Sequence, residues 1–401
     1  MDVCMLAYTF YEADNRVRRY AEALVKRGDR VDAIALLQEG QPLFEIIRGV
    51  RVHRIQKRRI DERGPLSYLW KLLLFFLRSF WFLTIHNRYD IIHVHSVPDF
   101  EVFATIVPKY LGARIILDIH DVVPEFYASK FNVGERSVIF RVLLLIERLS
   151  ISYSDHVIIS NHLWREKIVH RSSPAAKCTA IINYPDPSLF RRNQMETQHR
   201  DFVMCYPGTL NRHQGVDLAV RSMVTLRHDV PNLRLLVIGD GPDREKLTRM
   251  VAAERLEDRV SIQGFVPLET ICQTMSTVDL GVVPKRRDSF GNEAFSTKIL
   301  EFMAMGVPVV VSDTRIDKYY FNDDLVQFFE SDNPEDLANK ILDLVHDEAR
   351  RNLLRANALL FIAKNNWEVK KQEYLSLVDQ LMTKGSHAAS HANVTTSASI
   401  E

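Results

Sequence analysis

The feature of this sequence that most constrains its fold is a repeated alternation of short apolar runs with amphipathic stretches. Residues 3–8 form an apolar run, an amphipathic stretch at 17–27 follows and ends at Gly28, and a second apolar run covers 30–36. Further apolar runs lie at 91–95, 114–119 and 156–160. Continuous Val, Ile and Leu runs are typical of strands that are covered on both faces of a parallel sheet. The alternation therefore predicts stacked βα units.

The same alternation restarts after a polar boundary. Residues 183–187 (NYPDP) have turn chemistry, and the polar stretch 191–200 reads as a linker. New apolar runs then lie at 202–206, 233–238, 260–263, 280–283 and 307–311. Since 401 residues exceed one ordinary α/β core, we expect two doubly wound, Rossmann-like lobes that face a central cleft.

The chain is predicted to divide into five parts. The N-terminal lobe covers 1–188, a linker 189–200, the C-terminal lobe 201–365, a C-terminal helix 366–383 and a disordered tail 384–401. Whether the C-terminal helix crosses back to the first lobe is left open. The tail is assigned as disordered because its small and polar residues show no apolar period.

Charge and cysteine usage exclude several classes of protein. Lys and Arg number 52 against 51 Asp and Glu, so no net field favours a polyanion and nucleic acid is not an expected partner. Cys4, Cys178, Cys205 and Cys272 are scattered, which argues against a disulfide framework and a zinc site. The first ten residues have no basic region or cleavage site of a signal peptide. These patterns together predict a cytoplasmic protein.

One apolar segment, residues 66–85, is long enough to span a bilayer. It carries Lys71 and Arg78, and each would cost roughly 2.5 to 3.5 kcal/mol near the centre of a membrane helix. Their spacing of seven residues places both on one helix face. We therefore expect a helix that packs on the sheet, and the alternative that it also rests on the inner membrane face through Trp70, Trp81 and neighbouring residues stays open.

The stretch 288–311 (DSFGNEAFSTKILEFMAMGVPVVV) is the most informative for chemistry. Ser296 or Thr297 can cap a helix that starts just after Glu293 and ends at Gly306. The amides of this helix start and Lys298 would form an anion site suited to a phosphate group. Carboxylates at two depths, Glu293 and Glu301, could accept hydrogen bonds from two sugar rings. From spacing alone, a solvated acidic pair remains the commoner interpretation.

Other residues give weaker signals. Gly208 follows the first strand of the second lobe, where its backbone can approach a phosphate closely. His93 and His95 share a strand face, but without a supporting carboxylate spacing they read as core or cleft-wall histidines rather than metal ligands. A lone histidine at a strand end, such as His120, is more often structural than functional.

The spacing from Glu293 to Glu301 matches the E-x7-E signature, and the surrounding EAFSTKILEFMAMGVPVV resembles the family 4 retaining glycosyltransferases of the GT-B fold. The segments DNRVRRYAEAL, YDIIHVHSVPD, LDIHDVVPE, YPGTLNRHQGVD and VIGDGP agree with this family in the same order. The resemblance covers about the first 380 residues and is closest to the bacterial surface-polysaccharide type.

The resemblance implies a role for each matching residue. Glu301 would hold the donor ribose, and Glu293 with the backbone of Ala294, Phe295 and Ser296 would hold the transferred sugar. Lys298 would stand near the diphosphate, and His120 would point at the sugar and its phosphate. The expected donor-binding residues are Gly208, Thr209, Arg212, Phe265, Ala294, Phe295, Ser296, Lys298 and Glu301, and the expected catalytic residues are His120 and Glu293.

Two departures from the family pattern concern the phosphate cations. Thr209 and Gln214 stand where many relatives carry Arg and Lys, so Arg212 and Lys298 become the candidates for binding the diphosphate. The first strand lacks the usual Gly-Gly loop. Asn15 and Arg16 follow it instead as candidates for a phosphate or acceptor contact, and a solvated arginine at a helix start is an equal alternative.

The family resemblance implies a retaining enzyme that needs no cofactor and no metal. Its expected substrates are a UDP- or GDP-linked sugar and a lipid-linked or other saccharide acceptor. Because a partner acid–base residue is missing, front-face attack is favoured over a double displacement. The alternatives are a nucleotide-sugar epimerase or phosphorylase of the same fold and a non-catalytic two-lobed sugar-binding protein.

Overall fold

The computed structural model describes residues 1–58, 65–86, 88–131, 134, 136–191 and 201–395. Most of the predicted linker, residues 192–200, and the end of the predicted tail, residues 396–401, lie outside the described residues. The chain divides into two compact units. The first comprises Met1–Ile182 with Lys371–Glu401, and the second comprises Asn183–Lys370.

The first unit is built on a sheet whose strands are almost all parallel. Its strands are β1 Asp2–Ala7, β2 Arg30–Leu37, β3 Phe44–Ile47, β4 Val50–Lys57, β5 Ile91–His95, β6 Arg114–Ile119, β7 His156–Ile159 and β8 Cys178–Ala180. Their order in the sheet is β3-β4-β2-β1-β5-β6-β7-β8, and only the β3–β4 pair is antiparallel. The central strands are fully buried, as continuous apolar runs predict.

Helices connect these strands. They are α1 Asn15–Arg27, α2 Pro65–Ile85, α3 Ile106–Tyr110, α4 Val123–Phe131, α5 Val138–Tyr153 and α6 His162–Arg171, with short 3-10 segments at Tyr11–Ala13, Asp99–Thr105 and Ala175–Lys177. The carboxylate of Asp14 caps α1 by accepting from the amides of Arg16 and Val17, and Gly28 ends the helix at a φ of 100°.

The second unit repeats the plan with an all-parallel sheet. Its strands are β9 Phe202–Pro207, β10 Leu233–Ile238, β11 Val260–Gln263, β12 Leu280–Val283, β13 Val309–Ser312 and β14 Gln327–Phe329, in the order β11-β10-β9-β12-β13-β14. Its helices are α7 Val216–Leu226, α8 Arg244–Ala253, α9 Leu268–Met275, α10 Thr297–Ala304, α11 Arg315–Tyr320, α12 Pro334–His346 and α13 Glu348–Lys364, with a 3-10 turn at Arg212–Gln214. The predicted class of two parallel-sheet α/β lobes is confirmed.

The last helix, α14 Trp367–Thr395, leaves the second unit and continues in the first. Its Tyr374 packs on Tyr20 of α1, with ring centroids 4.2 Å apart. The sequence predicts that this helix ends at 383 and that 384–401 are disordered, but the helix runs on to Thr395. The extension continues a helix that is already held by the buried residues Tyr374, Val378 and Leu381, and adding residues to an existing helix costs less than starting one.

The apolar segment predicted as a helix at 66–85 is α2. One face is buried and includes Leu72, Phe75 and Leu83, while Trp70 and Trp81 remain 65% and 61% exposed. Across the described ranges, no helix is both long enough and apolar enough to traverse a bilayer.

Candidate active site

The stretch between β12 and α10 forms a loop that carries Glu293. Helix α10 begins at Thr297, directly after Ser296, one of the two residues predicted to cap it. Ser296 is the N-cap residue, but its hydroxyl makes no capping hydrogen bond and is buried without a partner among the described residues. Gly306 follows the helix at a φ of 63°, as predicted. The amides at the start of α10 are therefore not satisfied by a side-chain cap, which is the arrangement an anion can use.

Lys298, in the first turn of α10, lies directly over the Gly208 loop. A methyl group on Gly208 would lie 2.1 Å from Lys298 Cε, so only glycine allows this approach. Lys298 Nζ donates to Gln214 Oε1 at 3.3 Å and lies 5.3 Å from the centre of the Tyr206 ring. Tyr206 itself donates to the carbonyl of Thr209 at 2.9 Å. The structure thus brings Gly208 and Lys298 together, although 90 residues separate them in the chain.

The ammonium group of Lys298 is held in a desolvated position. Burial lowers the pKa of Lys298 to about 8, the charge of Glu301 opposes this change, and the charge of Lys285 adds to it. A neutral amide and an aromatic face are its contacts, and neither neutralises the charge. A lysine at a helix start whose amides no side chain caps is suited to bind an anion.

The two acidic residues of the E-x7-E pair occupy different positions. Glu293 ends a turn, and its Oε1 accepts a hydrogen bond at 3.0 Å from Arg315, the first residue of α11. Glu301 lies one turn further along α10 than Lys298 and is partly buried. Its charge acts on Lys298 and on Cys272, whose pKa is raised to about 12 mainly by burial. Glu293 thus precedes α10 in the loop, and Glu301 lies within the helix.

A buried lysine that the sequence did not predict anchors the Glu293 loop. Lys285 is 2% exposed, and its Nζ donates to the carbonyl of Ala294 at 2.7 Å and pairs with Asp317 Oδ2 at 2.9 Å. Burial lowers the pKa of Lys285 and raises that of Asp317. The contact fixes the backbone that follows Glu293. No sequence signal marks it, because a lysine after a strand usually faces solvent.

The other predicted donor residues are more exposed. Thr209 and Arg212 lie on the surface of the Gly208 loop, and the Arg212 side chain makes no hydrogen bond or ion pair with any residue that the structure describes. Phe265 is 79% exposed at the end of β11. The ring of Phe295 packs on Tyr320 at a centroid distance of 4.8 Å. The Arg212 side chain can therefore turn toward a ligand, whereas Phe295 is held in place.

A second group of polar residues lines a cavity of about 240 Å³ in the first unit. The cavity lies at the carboxyl ends of β1, β5 and β6 and is bordered by Tyr8, Thr9, Asp14, Arg58, His95, Ser96, His120 and Asp121. His120 follows β6, and its side chain is 22% exposed. Its Nε2 lies 3.1 Å from His95 Nδ1 and 3.4 Å from Asp118 Oδ2.

Arg16 has a role that differs from both sequence interpretations. It is 4% exposed, and its Nε and Nη2 donate to the two oxygens of Asp118 at 2.8 Å each, while Nη1 donates to the carbonyl of Ile181. The guanidinium is therefore neither a solvated group nor available to a phosphate, because its donors are committed to a buried carboxylate. Asn15 begins α1 and is partly exposed, and its carbonyl accepts from Arg19 Nε.

His93, His95 and Asp118 have potential ligand atoms within 4.8 Å of one another, as a metal site requires. The bidentate contact of Arg16 already balances the charge of Asp118, and it lowers the pKa of this carboxyl despite burial, which acts in the opposite direction. A metal ion here would face the guanidinium at short range. The arrangement therefore favours a hydrogen-bonded cluster.

Comparison with known families gives matches across both units. The model described as "Glycosyl transferase 4-like domain" matches residues 13–183, and that described as "Glycosyl transferases group 1" matches residues 189–360. The O-antigen biosynthesis glycosyltransferase WclY of Escherichia coli is 27% identical over 269 residues, which is 64% of this chain and 69% of that protein.

Solved structures share the fold along nearly the whole chain. Sucrose-phosphate synthase from Thermosynechococcus elongatus superposes with a TM-score of 0.80 at 20% identity, covering 96% of this chain and 99% of that one. Anabaena HepE, solved with UDP and glucose, has a TM-score of 0.74 at 16% identity and covers 95% and 100%. At these identities the likeness shows the fold.

Proposed function

Because this chain belongs to the glycosyltransferases with group 1 and 4-like domains and has the GT-B fold, we propose that it is a retaining hexosyltransferase of cell-surface polysaccharide synthesis. Its donor is a UDP- or GDP-linked sugar, and its acceptor is a lipid-linked or other saccharide. Relatives that match include an O-antigen biosynthesis enzyme, and a structure of the same fold was solved with UDP and glucose.

One observation supports the donor assignment most strongly. Lys298 and the uncapped amides at the start of α10 form an anion site, Glu293 lies in the loop before it, and Glu301 lies one turn further along the helix than Lys298. A diphosphate at this point would place the ribose near Glu301 and the transferred sugar near Glu293. Such a site fits a nucleotide diphosphate sugar because it offers cationic groups to the centre of the ligand and acceptors to both ends.

In the proposed mechanism, the bond between the sugar and the diphosphate breaks without a metal. Charge builds on the leaving diphosphate, and the helix amides together with Lys298 and the Arg212 side chain stabilise it. Glu293 is held by Arg315 and binds hydroxyl groups of the sugar rather than attacking its anomeric carbon. The acceptor hydroxyl then attacks the face from which the diphosphate leaves, and the departing phosphate takes its proton. Attack on this face retains the anomeric configuration of the sugar.

The acceptor is assigned to the cavity of the first unit. His120 lines this cavity together with Arg58 and Asp121, so both a cation and a carboxylate are available to a saccharide hydroxyl or an anionic substituent. His120 is proposed to contact the transferred sugar and its phosphate. The cavity is small, about 240 Å³, which fits a terminal sugar and not a whole oligosaccharide.

The lipid part of the acceptor is assigned to a surface formed by α2 and α5. Exposed apolar residues follow one another on each helix, at Leu69, Trp70, Leu73, Leu77 and Trp81 on α2 and at Val138, Val142, Leu145 and Leu149 on α5. Both helices pack against the Asp99–Thr105 segment. The acidic residue of α5, Glu147, is buried in an ion pair with Arg171, whereas Arg78, Arg141 and Arg148 are exposed. An apolar, basic surface of this kind suits peripheral contact with the inner face of an anionic membrane.

A nucleotide screen by thermal shift tests the donor assignment. UDP, GDP and ADP are compared, and a ligand at 100 times its Kd adds about 2.7 kcal/mol of apparent stability. Release of free sugar from the matching nucleotide sugar should continue in EDTA and should stop in Glu293→Gln. Loss of turnover in EDTA would contradict metal independence, and release of an epimerised sugar without transfer would assign the protein to the epimerase alternative.

Sedimentation with liposomes tests the membrane surface. Wild type is compared with Trp70→Ser/Trp81→Ser and Val142→Ser/Leu145→Ser on vesicles with and without anionic lipid. Each double variant should bind anionic vesicles several-fold more weakly, because apolar area is lost from the contact. Equal binding by all three proteins would rule out this surface. Leu353→Ser/Leu360→Ser removes exposed apolar side chains from α13 in the second unit and serves as the matched control.

A further inference from the structure

The ring of His120 contacts a buried histidine as well as the buried carboxylate of Asp118. His95 Nδ1 lies 3.1 Å from His120 Nε2, and both nitrogens lie 3.4 Å from Asp118 Oδ2. A hydrogen bond between two imidazole nitrogens needs one N–H donor and one bare acceptor. Which of the two rings donates therefore decides where His120 carries its own proton.

Burial decides this choice through the second nitrogen of His95. His95 Nε2 is buried and has no partner among the described residues. A proton on this atom would leave a buried N–H unsatisfied, at a cost of roughly 1 to 3 kcal/mol. A proton on His95 Nδ1 instead finds two acceptors, Asp118 Oδ2 and His120 Nε2. Burial also lowers the pKa of His95, so this ring is neutral and carries a single proton.

The position of the His95 ring is fixed from both sides. It stacks on His93 at a centroid distance of 4.1 Å, and His93 Nδ1 in turn contacts the hydroxyl of Tyr374 at 3.0 Å. Arg16 holds Asp118 through two hydrogen bonds. These contacts hold the His95 ring with its Nδ1 toward Asp118 and His120.

We propose that His95 is a positioning residue that fixes the tautomer of His120. His95 Nδ1–H donates to His120 Nε2, and His120 consequently carries its proton on Nδ1, the nitrogen that remains to meet a ligand in the cavity. His120 therefore acts on the substrate as a hydrogen-bond donor, through Nδ1–H, to an oxygen of the sugar or its phosphate. The role of His120 toward the substrate rests on the proposed function, but the tautomer of His120 does not.

Nitrogen-15 NMR of histidine-labelled full-length protein tests the tautomer without any substrate. Two-bond correlations from the ring protons distinguish protonated from bare nitrogens, and the His120 signals are assigned by their loss in His120→Asn. The wild type should show a protonated Nδ1 and a bare Nε2 for His120 at pH 8. A protonated Nε2 in the wild type would overturn the proposal.

Two variants of His95 separate the hydrogen bond from the volume of the ring. His95→Phe removes the donor and should move the His120 proton to Nε2, whereas His95→Asn retains an N–H near the position of Nδ1 and should preserve the tautomer. His156→Gln changes another buried histidine of the same unit and should leave the His120 signals unchanged. An unaltered His120 tautomer in His95→Phe would also overturn the proposal.

Kinetics then test the functional role. His95→Phe should lower kcat by roughly 10- to 100-fold with the donor KM nearly unchanged, as expected for loss of a donor to the transition state, and His95→Asn should recover most of this. Unchanged ring signals of His156, which lies in the same unit as His95, together with undiminished UDP binding by the second unit, show that the variants are folded. A low kcat in His95→Phe that keeps the wild-type tautomer of His120 would refute the link between this tautomer and turnover. Absence of transfer in the wild type would refute the proposed function and leave the tautomer result standing.

Discussion

Binding of the donor nucleotide should weaken as pH rises above neutrality, because it depends on the protonated form of Lys298. Burial lowers the pKa of Lys298 to about 8 in the free protein, from a reference value of 10.5. A bound diphosphate stabilises the charged form and so raises this pKa. The observed Kd then scales with 1 + 10^(pH − pKa) of the free protein, and it should increase roughly eightfold from pH 7.5 to pH 9.0.

Isothermal titration of UDP, or of the nucleotide that the screen selects, measures this dependence at intervals of half a pH unit. Lys298→Arg keeps its charge throughout this range and should give a nearly flat profile. Lys298→Gln should bind roughly 10- to 100-fold more weakly at pH 7.5 and should also be flat, since a charge-assisted hydrogen bond is lost. A flat profile in the wild type, or the same slope in Lys298→Gln, would show that Lys298 does not meet the diphosphate.

Three further predictions follow from buried groups. Burial raises the pKa of Glu101 to about 8. The folded protein therefore binds the Glu101 proton more tightly than the unfolded chain, and the stability gained in this way is lost as pH rises from about 4.5 to 8. Glu101→Gln should therefore lose less free energy of unfolding than wild type between pH 6 and 9, by on the order of 3 kcal/mol, in urea titrations. Lys285→Met should destabilise the protein by roughly 3 kcal/mol, because the Asp317 carboxylate stays buried without its charge partner, and adding Asp317→Asn should restore part of this loss. Gly208→Ala should displace the Lys298 side chain and weaken nucleotide binding about tenfold or more, and it should also lower the melting temperature, because alanine rarely adopts the φ of 150° found here.

The two parallel sheets are readable from the sequence because their central strands are continuous apolar runs. The β3–β4 hairpin was missed for the opposite reason. The inward positions of β4 begin with Val50 and Val52 but continue with Arg54 and Gln56, which are 2% and 3% exposed. Arg54 is buried because Glu12 and Glu45 pair with it. A hydrophobic pattern cannot show a strand whose buried positions are satisfied by distant ion pairs.

The sequence predicts which residues form the candidate site, but it does not predict which residues they contact. The E-x7-E spacing identifies Glu293 and Glu301, and the helix signals around them place Lys298 at a helix start. The partner of Arg16 lies 102 residues away in Asp118, and that of Lys285, a loop residue after β12, is Asp317 on helix α11. Pairings of this kind depend on which strands become neighbours. Local spacing carries no information about them.

The claim on which the rest depends is that a nucleotide diphosphate binds at the start of α10. A crystal structure of the protein with the nucleotide selected by the screen tests it most directly. We predict that the diphosphate contacts the amides of residues 296–298 and Lys298 Nζ, with the ribose hydroxyl groups on Glu301. A nucleotide bound elsewhere, with Glu301 and the first turn of α10 still facing water, would contradict the account.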